Sequence, residues 1–302
     1  MRSEAAETTQ RKKLLTGILL MLSAALGFAC MSACVKLSGD LPAFQKVFFR
    51  NLIAVPFALF LLLKNREKIS CRKENAVLLL LRCILGVIGV AGNYYALNYM
   101  MLSDVAVIVK LSPFVTLIVS SVLLGETFRL PQGLAVLAAF AGSVIVSRPG
   151  FREASFLPFL AAIASAFGAG SGYVCVRMLQ KRGESSNLII LAFSCFSCLF
   201  CIPIMLGNYH PMEIHQLLLL VAAGVFACFG QFCMTYAYKY AASREISAVE
   251  YSQVIFAAVL SKYLFGQVPD LIGMIGYIII FGAIIFNSIY SRRLLPAGSS
   301  RQ

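Results

Sequence analysis

The feature of this sequence that most constrains its fold is a series of long apolar blocks. About 20 apolar residues of helix cross the hydrocarbon core of a bilayer, and ten such blocks follow one another with short connections. Only 13% of the residues are charged and 60% are hydrophobic, whereas roughly a quarter of a soluble domain is charged. The sequence therefore predicts an all-α integral membrane protein with ten transmembrane helices, at 14–35, 44–63, 76–99, 104–124, 130–147, 155–178, 187–206, 214–238, 246–264 and 270–290.

The distribution of Lys and Arg predicts which side of the membrane each connection faces. If the N-terminus is cytoplasmic, the outer connections hold only Lys36, Lys46, Arg148, Arg152 and Lys262, and the inner side holds most of the remaining basic residues. Cytoplasmic segments of membrane proteins carry such an excess. Because ten is an even number, we expect two cytoplasmic tails, 1–13 and 291–302, in a multi-pass protein of the cytoplasmic (inner) membrane.

Composition and motifs argue against several other classes of protein. The net charge of +13 does not indicate nucleic-acid binding, because no soluble domain is present to carry a basic surface. Cys195, Cys198 and Cys201 share one helical face, but nothing supplies the second shell that a metal needs, so we favour packing. No nucleotide-binding loop, zinc motif or nucleophile elbow occurs. We therefore expect no catalytic residue, no cofactor and no enzyme activity.

An offset of 141 residues aligns the first half of the chain with the second. At this offset Gly27 meets Gly168, and the basic Lys36 meets the basic Arg177. Each copy contains five predicted helices. Because five is odd, the second copy enters the membrane from the opposite side, and inverted repeats of this kind underlie many alternating-access transporters. The two predicted repeats are 14–147 and 155–290.

The segment 95–148 carries a resemblance to a known family. It reads YALNYMMLSDVAVIVKLSPFVTLIVSSVLLGETFRLPQGLAVLAAFAGSVIVSR, with a Tyr-Ala pair, then Ser-Pro-Phe at 112–114 and Leu-Gly-Glu at 124–126. In this order, and with the duplication, the sequence resembles the EamA-type ten-helix members of the drug/metabolite transporter superfamily. The resemblance covers nearly the whole chain.

This resemblance implies a secondary active or facilitative transporter of small organic metabolites, such as amino-acid-like or carboxylate solutes. It implies export or exchange by alternating access, through a central cavity lined mainly by helices 1, 3, 4, 6, 8 and 9. The two halves differ at two positions that the offset aligns. The second half has Gln267 where the first has Glu126, and it has Val254 where the first has Pro113. We therefore do not expect equal gating on the two sides.

Glu250 is the one acidic residue placed well inside a predicted helix, and Lys110 is its near counterpart in the first repeat. An ionisable group at membrane depth indicates a substrate or proton site, although a structural ion pair is the alternative. Each residue lies roughly 9 Å from a helix end, which predicts a separation of about 12 Å along the membrane normal. A zwitterion could bridge the two groups, or they could pair directly in one conformation.

Further polar residues lie at depths suited to a cavity. Tyrosines offer a flat apolar face with a hydroxyl, but they also form interfacial belts. Pro113 removes a hydrogen bond in the middle of predicted helix 4, and Gly170 loosens helix 6, so both are candidate gating positions, with plain packing as the alternative. We consider Arg50 a residue that extends to the headgroups. The remaining candidate substrate-binding residues are Asn93, Gln231, Gln253, Ser252, Tyr94, Tyr251 and Arg82.

Other functions stay open at this stage. Within transport, the alternative is uptake or exchange of a charged cofactor-like metabolite such as S-adenosylmethionine. Outside it, the alternative is a lipid scramblase, which would need a polar groove open to lipid. Expected partners are the small-molecule substrate, the lipid bilayer and a proton or counter-substrate, and a homodimer is an open alternative.

The predicted topology can be tested with reporter fusions. We expect reporters at the N-terminus and at the C-terminus to be active only in the cytoplasm, because the Lys and Arg excess orients both ends inward. A fusion in the connection at 148–154 is the matched external control. An external C-terminus would contradict the count of ten helices.

Overall fold

The computed structural model describes residues 2–39, 41–99, 105, 108–126, 129–147, 156–265 and 271–293. These residues form α-helices and short 3-10 turns, and no strand occurs among them. The helices are α1 (Arg2–Leu37), α2 (Ala43–Leu52), α3 (Ala54–Lys64), α4 (Ala76–Tyr99), α5 (Ser112–Leu124), α6 (Leu130–Ser147), α7 (Phe156–Lys181), α8 (Ser186–Gly207), α9 (Ile214–Tyr240), α10 (Ser243–Ile246), α11 (Ser252–Phe265) and α12 (Leu271–Arg293).

Local sequence signals fix several of the helix ends. The hydroxyl of Ser185 accepts hydrogen bonds from the backbone N–H groups of Asn187 and Leu188, so it caps the start of α8. Glu213 and Gln216 form a reciprocal capping box at the start of α9. Gly125 ends α5 with a φ of 63°, a left-handed conformation that glycine adopts without a steric penalty.

The structure supports the membrane character of the chain. In its described part, seven helical segments are long and apolar enough to cross a membrane, and α5 and α6 are shorter apolar helices. The segment Ala43–Lys64 counts as one of the seven and contains α2 and α3. The predicted tail 1–13 proves helical from Arg2 onward, because α1 begins there. The count of ten transmembrane helices and the side of the termini remain predictions.

Helix packing follows the symmetry of the repeat. The contact of α1 with α9 has its counterpart in the contact of α7 with α4, and helices α6 and α12, which are repeat partners, pack on each other. The closest approaches obey the same symmetry. A Cβ on Gly27 would lie 3.1 Å from the Cα of Gly230, and one on Gly168 would lie 2.8 Å from the amide nitrogen of Gly89. These four glycines form two pairs related by the offset of 141 residues.

The predicted fourth and ninth helices are both interrupted, at positions related by the repeat. In the fourth, a turn at Lys110 and Leu111 precedes α5. In the ninth, a 3-10 turn at Val249–Tyr251 separates α10 from α11. The prediction that Pro113 lies in the middle of a helix was therefore wrong. Pro113 occupies the first turn of α5, where a backbone N–H would have no partner inside the helix.

The interruption explains one difference between the two repeats. Val254, the counterpart of Pro113, lies in the first turn of α11. First-turn N–H groups have no partner inside their own helix. A proline and a valine are therefore both compatible with the backbone at this position.

Polar contacts join the two halves at one end of the bundle. We call it the basic end, and it is formed by the connections at 65–75, 125–126, 182–185 and 241–242. Glu184 accepts a hydrogen bond of 2.6 Å from Asn75. Glu67 accepts hydrogen bonds from the hydroxyl of Ser185 and from Asn187. Gln132 in α6 donates to Ser291 in α12 over 3.2 Å. Each contact pairs one residue of the first half with one of the second.

The close helix contact at Gly168 can be tested by adding one methyl group. We expect Gly168→Ala to lower the free energy of unfolding by about 1–3 kcal/mol, because the new Cβ would meet the carbonyl oxygen of Leu85 at 2.6 Å. Gly282→Ala is the matched control, since its Cβ would have no neighbour within 4 Å. Thermal unfolding in detergent measures both variants. Equal stability would contradict the packing described here.

Candidate functional site

A cavity of about 240 Å³ lies between the two halves of the bundle. Residues of α1, α2, α4, α7, α8 and α9 line it, together with the two helix interruptions at 109–112 and 250–253. Its wall combines aromatic rings, small residues and several charged groups. The polar residues that line it are Ser32, Arg50, Arg82, Asn93, Tyr94, Lys110, Ser112, Ser165, Tyr173, Gln231, Glu250 and Gln253.

The two helix interruptions contact each other across the interface between the halves. The ammonium group of Lys110 donates to the side-chain oxygen of Gln253 over 2.8 Å. It also lies 3.5 Å from the backbone carbonyl oxygen of Glu250. In return, the hydroxyl of Tyr251 donates to the carbonyl oxygen of Lys110 over 2.7 Å. Backbone groups that the interruptions free from helical pairing thus find partners in the opposite half, as a membrane interior requires.

The predicted separation of about 12 Å between Lys110 and Glu250 was wrong. The prediction assumed two continuous helices, whereas both helices break here and their ends turn toward each other. Among the described residues, no ion pair joins the Lys110 ammonium to the Glu250 carboxylate. The ammonium contacts the carbonyl of Glu250 instead, and the carboxylate accepts a hydrogen bond of 3.4 Å from Ser112.

The carboxylate of Glu250 has spare capacity to bind a donor. Its side chain is 8% exposed, and Oε1 accepts the Ser112 hydroxyl. Its other oxygen, Oε2, has no hydrogen-bond partner in the described structure. A buried carboxylate oxygen without a partner is costly. An amine or hydroxyl of a bound solute would supply what this oxygen lacks.

Two arginines line a second part of the cavity wall. The guanidinium of Arg82 lies 4.3 Å from the ring centroid of Phe193. This residue is only 3% exposed, and its Nε has no hydrogen-bond partner among the residues that the structure describes. Arg50 lies 6.0 Å from the ring of Phe28. Cation–π contacts with aromatic faces leave guanidinium N–H groups available for an anion.

The structure brings most of the predicted substrate-binding residues together. Two residues differ from the prediction: Tyr251 and Ser252 are buried beside the cavity and do not line it. Tyr251 supports the backbone of Lys110 instead. The residues that do line the cavity are Glu250, Lys110, Asn93, Gln231, Gln253, Tyr94 and Arg82.

The two predicted gating residues lie behind the cavity wall. Gly170 in α7 faces the start of α5, where an added Cβ would lie 2.6 Å from the carbonyl oxygen of Ser112. Thr116 donates to the carbonyl oxygen of Gly170 over 3.2 Å, and Pro113 is buried in the same helix turn. Both residues therefore fix how closely α7 packs on α5. Their part in gating remains a prediction.

Sequence reasoning missed Arg50, which lines the cavity. It treated this arginine as one that reaches the headgroups, yet an intramembrane cation indicates a site by default. That rule would have found Arg50. No sequence signal distinguishes Tyr173 and Phe193, because aromatic residues occur throughout the apolar blocks.

A layer of aromatic and charged residues lies between the cavity and the basic end. The ring of Tyr173, which lines the cavity, stacks on that of Tyr238 with centroids 5.4 Å apart. Arg177 donates to the carbonyl oxygen of Tyr238 over 2.7 Å and forms an ion pair with Glu126. Lys181 adds a second contact to Glu126 at 3.3 Å. Aromatic stacking and ion pairs thus connect the cavity wall to the basic end.

The charged groups in the cavity suit reversible binding of a charged solute. Among the described residues, no group of three or more His, Cys, Asp or Glu side chains is placed to hold a metal ion. Two guanidinium groups and one ammonium face a single carboxylate. Such an arrangement can hold carboxylate and amine groups of one molecule at the same time.

Comparison with known proteins places these features in a family context. Residues 15–148 and 157–289 each match the sequence profile described as "EamA-like transporter family". The chain is 27% identical over 275 residues to the pseudopaline exporter CntI of Pseudomonas aeruginosa, which covers 89% of this chain and 95% of that protein. It is 26% identical over 265 residues to a riboflavin transporter of Vibrio cholerae, covering 84% and 87% respectively.

Two further comparisons agree with these matches. The human solute carrier family 35 member G1 is 27% identical over 270 residues, covering 84% of this chain and 73% of that protein. A solved crystal structure superposes with a TM-score of 0.79 over 92% of this chain and 98% of that one. At 17% identity, this structural match speaks for the fold alone.

The ion pair at the basic end can be tested by a double-mutant cycle. We expect Glu126→Gln to lower the free energy of unfolding by about 3 kcal/mol, because it leaves Arg177 largely buried without its counter-charge. The double variant with Arg177→Gln should lose less than the sum of the single losses. Glu74→Gln, at an exposed glutamate, is the control. Additive losses in thermal unfolding would contradict a coupled pair.

Proposed function

The chain belongs to the EamA-like transporter family, and from this premise we propose that it carries an amino-acid-like or carboxylate metabolite across the cytoplasmic membrane. We place the substrate in the central cavity and infer export or exchange by alternating access. Its curated relatives bear the names of transporters, among them an exporter of pseudopaline and a transporter of riboflavin. Family and relatives indicate a transporter of small metabolites and not an enzyme.

One observation carries this proposal: partner-free charged groups of both signs face one cavity. Glu250 has a free carboxylate oxygen and Arg82 a free Nε, and both side chains are more than nine-tenths buried. Isolated charges at this depth are costly, and they indicate a substrate pathway by default. A solute that carries amine and carboxylate groups satisfies both in one binding event.

The symmetry of the fold supports alternating access as the mechanism. The cavity lies between the repeats, beside two helix interruptions that the repeat relates. Interrupted helices beside a site between inverted repeats recur in secondary transporters. We propose that one half rocks against the other, that the Lys110–Gln253 contact breaks during the motion, and that Pro113 and Gly170 guide the packing of α5 on α7.

The proposed topology has ten membrane-crossing segments with both tails in the cytoplasm. The interrupted fourth and ninth segments and the fifth segment, which is the shorter helix α6, supply the three crossings beyond the seven long ones. In support, residues of the first and the last described helices both contact the short segment that follows α9. Gly17 approaches Ala241, and Asn287 donates to the carbonyl oxygen of Glu245 over 3.0 Å.

The cavity charges weigh against a cationic cofactor-like metabolite. A sulfonium compound would be attracted by Glu250, but Arg50, Arg82 and Lys110 would repel it. A lipid scramblase remains the rival outside solute transport. Flipping of labelled lipids in proteoliposomes, without uptake of any solute, would favour that rival.

The role of Glu250 can be tested by transport in proteoliposomes. We expect Glu250→Gln to reduce uptake of the transported amino acid by about tenfold or more, because it removes one charge-assisted hydrogen bond to the substrate. Glu74→Gln is the matched control, since Glu74 is exposed at the start of α4. Wild-type rates from folded Glu250→Gln protein would refute this site assignment.

A further inference from the structure

The charged groups in the cavity wall do not balance. Three cations, Arg50, Arg82 and Lys110, face one carboxylate, that of Glu250. Lys110 lies nearest to Glu250, and its ammonium already contacts the carbonyl oxygen of that residue and the amide oxygen of Gln253. The two arginines therefore hold positive charge that no acidic side chain among the described cavity residues offsets.

The two guanidinium groups are arranged to receive carboxylates. Both are positively charged and line the same cavity, so an anionic group between them would offset like-charge repulsion as well as the cost of their desolvation. The Arg82 guanidinium lies over the Phe193 ring at 4.3 Å from its centroid, and its Nε has no hydrogen-bond partner among the described residues. A planar guanidinium edge matches the two oxygens of a carboxylate with paired N–H···O bonds.

Glu250, in the same cavity, requires a hydrogen-bond donor. The free Oε2 of Glu250 is an acceptor, so a simple dicarboxylate without a donor would leave it unsatisfied and would also be repelled by it. An ammonium group fits this position because it brings both a donor and a positive charge. The cavity thus presents one place for an amine and two for carboxylates.

We propose that the substrate is an amino acid whose carboxylates outnumber its amino groups, so that it crosses the membrane as an anion. This inference rests on the proposed transport function and names its substrate class. Arg50 and Arg82 bind the carboxylates, and Glu250 binds the amine. The net charge distinguishes this class from neutral amino acids, which carry one carboxylate for each amine.

Ligand-induced thermal stabilisation of the purified protein tests the class. The probes are L-aspartate, L-alanine, succinate and inorganic phosphate at equal concentration, since binding to the folded state raises the unfolding temperature. We expect aspartate to give the largest shift, because it alone has two carboxylates and an amine. A shift from alanine that equals or exceeds that of aspartate overturns the proposal, as do equal or absent shifts with all four probes.

Variants of the two arginines and of Glu250 separate carboxylate binding from amine binding. Arg50→Gln and Arg82→Gln should each raise the half-saturating aspartate concentration by about tenfold or more. Arg129→Gln, at an exposed arginine, should leave it unchanged. Arg82→Lys, which keeps the charge, should lose less than Arg82→Gln, and the unliganded unfolding temperature verifies folding. Glu250→Gln should remove the preference for aspartate over succinate.

The outcomes distinguish this inference from the transport function beneath it. If proteoliposomes take up alanine, with a rate that Glu250→Gln reduces, the transport function stands and the anionic class fails. If phosphate stabilises the protein as well as aspartate does, the arginines bind any oxyanion and the class fails. If no solute moves while labelled lipids flip, the transport function itself fails.

Discussion

Backbone groups that leave a helix inside a membrane must find partners within the protein, and this requirement shapes the centre of the molecule. The interruptions before α5 and α11 leave carbonyl groups outside helical pairing in the middle of the bundle. Tyr251 satisfies the carbonyl of Lys110, and Lys110 in turn contacts the carbonyl of Glu250. Because each partner comes from the opposite half, the hydrogen bonds that satisfy these carbonyl groups also join the two repeats. They place the ammonium of Lys110 beside Glu250.

The closest helix contacts lie between the two repeats. At Gly89 and Gly168 the backbones of α4 and α7 approach so closely that no side chain fits between them, and α4 belongs to the first repeat whereas α7 belongs to the second. The contact of α1 with α9 also crosses between the repeats. The ion pair of Glu126 with Arg177 joins the repeats at the basic end. A motion of one repeat against the other must therefore change these glycine contacts as well as the ion pair.

The fold was largely predictable because apolar length and repeat symmetry are encoded at many positions. Family membership, the helical class and most lining residues followed from this redundancy. The interruptions were not predictable, since nothing in the run around Lys110 signals a turn except Pro113, which suits a first turn as well as a kink. The error in the Lys110–Glu250 distance came from that single feature. Arg50 was missed because depth alone does not reveal which way a long side chain extends.

The hydrogen bond from Lys110 to Gln253 has a kinetic consequence. It joins an ammonium to a neutral amide oxygen, and a carboxylate competes for an ammonium more strongly than an amide does. A substrate carboxylate that reaches Lys110 would thus break its hydrogen bond to Gln253, whereas the protein without substrate would keep this bond. Such a carrier reorients quickly when loaded and slowly when vacant. Under the proposed transport function, turnover would then depend on a solute that is carried back, so exchange would be faster than one-way export.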